Sequence, residues 1–111
     1  MAFTTTYAGR EPSRAEIDAL AGVSIIEFGA PWCGYCQAAQ AGMAAGFQIV
    51  PDARHIKIHD GRGQPLGRSF RVKLWPTFVF LRKGVVLARL VRPDDEEIRA
   101  AFTSLLGEIA D

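Results

Sequence analysis

The chain has 111 residues, 49% hydrophobic and 23% charged, enough to bury a core as one domain over residues 1–111. A formal net charge of +1 gives no field to draw it onto nucleic acid or a membrane surface, and no apolar run approaches the roughly 20 residues of a membrane span. The opening stretch MAFTTTYAGREPSRAE has no charged segment followed by an apolar one, so no signal peptide is visible and the expected compartment is the cytoplasm.

Residues Ala2 to Tyr7 alternate loosely and predict a short edge strand. Ser13-Arg14-Ala15-Glu16 is a capping box that should open a helix. Ile17, Leu20 and Ala21 share one face of it, and Gly22 is placed to stop it. Val23 to Phe28 is short, β-branched and almost wholly apolar, the pattern of a strand buried on both faces. Gly29-Ala30-Pro31-Trp32 reads as a turn. Cys33 to about Phe47, rich in Ala and Gln, reads as a helix weakened by Gly42 and Gly46. His55 to His59 alternates and predicts a strand, Gly61 and Gly63 mark a loop, and Pro65 to Phe70 a short helix. Thr77 to Leu81 and Val85 to Val91, separated by Arg82-Lys83-Gly84, predict an antiparallel hairpin. Pro93-Asp94 opens the last helix. Glu97 completes its capping box, and Ile98, Ala101, Phe102, Leu105 and Leu106 form an apolar stripe. This order of elements implies an α/β fold with a mixed central sheet and helices on both faces.

Two cysteines, Cys33 and Cys36, sit three apart where a strand gives way to a helix. A disulfide framework would spread several cysteines widely, so this pair points to chemistry. A thiol attacks only as thiolate, and the unpaired N–H groups and dipole of a helix start favour a negative sulfur. The spacing puts both sulfurs on one side, close enough to bridge, with the first cysteine exposed and the second more buried. Two buried structural cysteines, or half a zinc site completed by His55 and His59, are the other readings. Zinc needs four ligands, and these histidines lie on a strand. With no Gly-rich phosphate loop and no metal-ligand cluster, neither a bound cofactor nor a metal is expected beyond a Cys33–Cys36 redox disulfide.

Phe28-Gly29-Ala30-Pro31-Trp32-Cys33-Gly34-Tyr35-Cys36 resembles the active-site segment of thioredoxins, the general example of a Cys-x-x-Cys redox pair. Trp75-Pro76-Thr77 falls where that family carries its cis-proline loop and Lys83-Gly84 at its hairpin turn, so the likeness covers nearly the whole chain. The resemblance implies a thioredoxin fold and a monomeric thiol–disulfide oxidoreductase. Such an enzyme reduces disulfides of protein clients and is itself restored by a flavin-dependent reductase drawing on NADPH. Cys33 would attack the client and Cys36 would resolve the mixed disulfide.

Glu27 is a carboxylate in an apolar strand. Either the strand bends to let it reach solvent or it is buried at a cost. In the resemblance it matches the buried acid beneath the second cysteine, usually aspartate, which takes the proton from Cys36. Lys57 is either a surface lysine or the match to the family's lysine near that acid. Pro76 is either an ordinary trans residue opening a strand or the family's cis-proline. The backbone of Trp75 would then be free to pair with an extended client. Trp32, Gly34, Tyr35, Trp75, Pro76 and Arg92 make up the substrate-facing set.

The chain departs from the thioredoxin pattern at several of these positions. Gly34-Tyr35 replaces Gly-Pro and is the dipeptide of periplasmic disulfide isomerases, which carry an extra dimerisation domain and a signal peptide. Isomerase therefore stands as an alternative to reductase, beside a redox sensor and a binding module with little turnover. Ala41 stands in place of a kinking proline, Trp75 in place of a smaller β-branched residue, and Arg92 in place of a glycine. Lys73, Trp75 and Arg92 predict a bulkier, more positive rim that prefers acidic clients, with scattered surface charge as the other reading.

Overall fold

The computed structural model describes residues 3–109. In chain order these form α1 (Arg14–Asp18), β1 (Val23–Gly29), α2 (Gly34–Ile49), β2 (Arg54–His59), α3 (Pro65–Ser69), β3 (Thr77–Arg82), β4 (Val85–Val91) and α4 (Asp95–Ile109). The strands make one sheet in the order β2-β1-β3-β4. β1 runs parallel to β2 and antiparallel to β3, and β3 is antiparallel to β4.

All seven residues of β1 are buried because its alternating side chains feed two cores. On one face Ile25 joins Met43 and Phe47 of α2 and Ile98, Phe102 and Leu105 of α4. On the other, Ile26 and Phe28 join Ile17 of α1, Leu66 of α3 and Phe70. Each such side chain contributes about 1.5–3 kcal/mol through removal of apolar surface from water. The sheet is therefore mixed and covered by helices on both faces, as its pattern of elements predicts. Gly42 and Gly46 weaken α2 as an isolated helix but let α4 approach closely. A β-carbon at Gly42 would press on Asp95 and Ile98, and one at Gly46 would overlap the Phe102 ring.

Local differences from the sequence reading have local causes. The Ser13 capping box forms with both of its hydrogen bonds, yet α1 ends at Asp18. Gly22, at φ +68, instead turns the chain into β1. The hairpin turn is two residues long because Arg82 pairs with Val85. Lys83 (φ +50) and Gly84 (φ +81) supply the left-handed pair that such a turn requires.

The expected edge strand over Ala2 to Tyr7 falls partly outside the described residues. Within them the segment makes one parallel bridge, Tyr7 to Lys57, rather than a strand. The Thr4 N–H donates to the His55 ring at 3.0 Å and the Thr6 N–H to the Thr4 hydroxyl at 3.1 Å. Side chains satisfy donors that a sheet ladder would otherwise use.

Register brings three chain segments together at one edge of the sheet. Phe28 lies opposite Thr77, and Thr77 opposite Val91. The end of β1, the Trp75-Pro76 loop and Arg92 are therefore neighbours. Among the described residues no helix is long and apolar enough to cross a membrane.

Candidate active site

Cys33 is the N-cap of α2, with extended φ and ψ of −79° and 115°. Its partly exposed sulfur accepts the Cys36 backbone N–H at 3.2 Å. This places Cys33 Sγ among the unpaired N–H groups of a sixteen-residue helix, where negative charge is stabilised. Cys36 lies one turn further in and is 2% exposed. Its position depends on Gly29 at the end of β1, where a β-carbon would stand 2.5 Å from Cys36 Sγ. Burial, first, and the hydrogen bond with Cys33, second, push the Cys36 thiol up to about 12, against an opposing bond from the Ala30 backbone. The two sulfurs thus differ as the sequence predicts, one reachable and one enclosed.

Glu27 does not bend to solvent. It is fully buried, and its strand position opposite Lys57 supplies it with partners from two elements, β2 and α2. Glu27 Oε1 receives His55 Nε2 at 2.8 Å, and Oε2 receives Gln40 Nε2 at 2.9 Å. Lys57 Nζ stands 3.7 Å from the same Oε2 and donates to Gln40 Oε1 at 3.0 Å. Because the Thr4 N–H donates to His55 Nδ1, the neutral ring carries its proton on Nε2 and donates it to Glu27. Gln40 also donates to the Cys36 carbonyl at 2.8 Å, tying the acid to the helix that bears the cysteines. No buried side-chain polar atom among the described residues lacks a partner, which is what makes a buried carboxylate tolerable.

Sequence reasoning missed Gln40, Tyr7 and Gly29, and it considered His55 only as a zinc ligand rather than as a partner of Glu27. His55 shares a strand face with Lys57 by period two, and Gln40 shares a helix face with Cys36 by the i, i+4 rule. Those spacings held signals that become specific only when joined to Glu27. Tyr7 carried no such signal. Its ring lies 4.7 Å from Lys57 Nζ, and it lines a cleft of ≈ 290 Å³ with Cys36, Gln40 and Lys57. Burial, with the charges of Cys36, Glu27 and Cys33 adding, pushes its hydroxyl well above the usual tyrosine range.

Around Cys33 the rim is aromatic. Trp32 is 69% exposed and Tyr35 60%, and the edge of Trp32 meets His59 at 4.9 Å. Gly34 faces open space. The Trp75–Pro76 peptide is cis and Pro76 is buried. The Trp75 indole donates to Asp60 Oδ2 at 2.9 Å. The Trp75 carbonyl is not free, contrary to the sequence expectation. It accepts Arg92 Nε at 2.8 Å, because the β4 register carries Arg92 alongside. Lys73 is exposed on the same loop. Among the described residues no group of three or more His, Cys, Asp or Glu side chains is gathered to hold a metal.

A helix start bearing one reachable and one enclosed thiol, on a four-stranded mixed sheet, defines a thiol–disulfide exchange domain. Residues 10–104 match the thioredoxin family model. The chain belongs to the thioredoxin family. Thioredoxin 2 from Pseudomonas aeruginosa PAO1, solved in its reduced form, superposes with a TM-score of 0.83 at 52% identity, covering 96% of this chain and 99% of that one. Thioredoxin H5 of Arabidopsis thaliana is 30% identical over 78% of this chain and 73% of its own length. Thioredoxin H2-1 of Oryza sativa is 28% identical over 73% of this chain, and the match spans 59% of that relative's length.

Proposed function

We propose that the protein is a thiol–disulfide oxidoreductase that reduces disulfides of client proteins in the cytoplasm, where thiols are kept reduced. It acts as a monomeric single domain over residues 1–111. The observation that carries this is the partly exposed Cys33 sulfur at the start of α2, held by the N–H of an enclosed Cys36 at 3.2 Å. Cys33 thiolate attacks one sulfur of the client disulfide, and the other client sulfur leaves with the electron pair and takes a proton. Cys36 then attacks Cys33 Sγ. The second client sulfur leaves as thiolate, and the protein keeps a Cys33–Cys36 disulfide, two electrons having passed to the client.

The second step needs the Cys36 proton removed, since burial holds that thiol up near 12. Glu27 is the base, connected through Gln40 and Lys57 to the cleft that these two residues line with Cys36 and Tyr7. His55, Gln40 and Lys57 are positioning residues that orient the carboxylate. Trp32, Gly34, Tyr35, Trp75, Pro76 and Arg92 form the surface met by the client. A flavin-dependent reductase drawing on NADPH restores the dithiol, which requires no resident metal or cofactor.

The test is an insulin-reduction assay with dithiothreitol on wild type, Cys33→Ser and Cys36→Ser, with a redox titration of the pair. Acceleration by wild type alone and a strongly reducing potential support the reading. Weak reduction with a markedly more oxidising potential would transfer the role to isomerisation, the outcome that Tyr35 between the cysteines favours.

A further inference from the structure

One side chain links the start of α2 to the Pro76 loop. Arg92 follows β4 with φ +48, a left-handed conformation strained for any residue bearing a β-carbon. Its N–H donates to the Pro76 carbonyl at 2.9 Å, its Nε donates to the Trp75 carbonyl at 2.8 Å, and its Cζ lies 4.1 Å over the Tyr35 ring. A single guanidinium thus joins the residue between the two cysteines to the residue before Pro76. The start of α2 and the Pro76 loop are tied to one cation.

That cation retains binding capacity. A guanidinium has five N–H donors, and among the described residues only Nε of Arg92 is engaged in a hydrogen bond. Among the described residues no carboxylate is paired with Arg92. Asp60 accepts the Trp75 indole, and Asp94 accepts the Glu97 N–H at the start of α4. Stacking on Tyr35 and bonding to Trp75 hold the planar group in place, so little side-chain freedom remains to be lost when a partner binds it. The matching partner for two parallel N–H groups is a carboxylate. An extended client approaching the Trp75 N–H, the carbonyl being taken by Arg92, lies alongside that fork.

We propose that Arg92 is a specificity-determining residue that selects client segments carrying Asp or Glu beside the disulfide cysteine. The selection rests on the reductase reading above. The incoming carboxylate engages the Nη groups of Arg92, while Tyr35 and Trp75 keep the guanidinium oriented. Lys73 adds positive charge to the same rim but not the planar fork.

The test uses two synthetic peptides, each closed by one disulfide and differing only in Glu or Gln on both sides of the attacked cysteine, with neutral hydroxyethyl disulfide as a third substrate. For wild type at low ionic strength, kcat/KM for the Glu peptide is expected to exceed that for the Gln peptide about tenfold. The ratio should shrink toward unity as added salt screens the pair. Arg92→Gly, which also relieves the backbone strain, and Arg92→Gln should bring the ratio to about one whatever their absolute rates. Arg92→Lys should retain only part of it, since charge without the fork is not equivalent. Equal rates on the two peptides with brisk reduction of hydroxyethyl disulfide would overturn the selection alone. A tenfold ratio that persists in Arg92→Gly would also overturn it. Failure of wild type on all three substrates would sink the reductase reading itself.

Discussion

Cys33 and Cys36 stand three residues apart on one helix, yet they face different media. On the Cys33 side Trp32, Tyr35 and Arg92 are exposed, and the polar groups there have donors or faces to offer a partner. On the Cys36 side Glu27, His55 and Lys57 are buried and bonded to one another or to Gln40. The contrast teaches that division of labour in a dithiol comes from what the helix start is packed against. In the proposed mechanism the exposed end supplies the nucleophile that meets the client. Burial at the enclosed end disfavours the charged thiolate.

The largest effects should come from removing the sulfurs. Cys33→Ser is expected to reduce turnover of a protein disulfide to background. Cys36→Ser should still attack and then stall as a mixed disulfide, which intact-mass spectrometry would detect. An adduct on Cys36 in the Cys33→Ser protein would contradict the assignment of roles. Glu27→Gln should slow the resolving step by about 10²-fold, the usual scale of general-base assistance, and leave attack on the client little changed. Rapid-quench trapping of the mixed disulfide separates the two steps, and an unchanged resolving rate would remove Glu27 from the chemistry.

Gly29→Ala acts on the contrast by steric means. Its β-carbon would stand 2.5 Å from Cys36 Sγ, so the enclosed sulfur must shift. Overpacking of this kind costs about 1–3 kcal/mol, readable in urea unfolding of the reduced protein, together with slower closure of the Cys33–Cys36 bond. Unaltered stability and closure would show that the sulfur has room to move.

At neutral pH the remaining effect is silent, and it emerges only as pH rises. Folding raises the Cys36 thiol from 9.0 to about 12, so the unfolded chain releases this proton first. The stabilisation is complete below pH 9 and is lost as pH rises toward 12. The Tm of the reduced protein should therefore fall relative to that of the oxidised protein across this window, and the fall should be absent from Cys36→Ala. Parallel curves for the two redox forms would argue against the raised thiol.

Much of the architecture was legible because its signals are local. The Ser13 and Asp94 capping boxes, the apolar run of β1 and the Lys83-Gly84 turn each depend on residues within a few positions of one another, and each forms. The segment near Tyr7 has the alternation of a strand and forms none, because alternation alone cannot tell whether a neighbour offers ladder bonds or a histidine ring. The cysteine pair and the unusual carboxylate at Glu27 were equally plain in one dimension. Their surroundings were not. His55 is 28 residues from Glu27 and Gln40 is 13, and Arg92 is 17 residues from the Trp75 carbonyl it caps.

By itself, then, the sequence determined the helices and strands other than the expected edge strand, which two thiols are paired at a helix start, and that a carboxylate lies in an apolar strand. Local conformational preference and hydrophobic period suffice for these. Only the tertiary structure decided that Glu27 is held by His55, Gln40 and Lys57, that Gly29 makes room for Cys36, and that Arg92 bridges Tyr35 and Trp75. Each of these depends on strand register and helix packing. Those bring distant residues within hydrogen-bonding range, and no spacing along the chain encodes that distance.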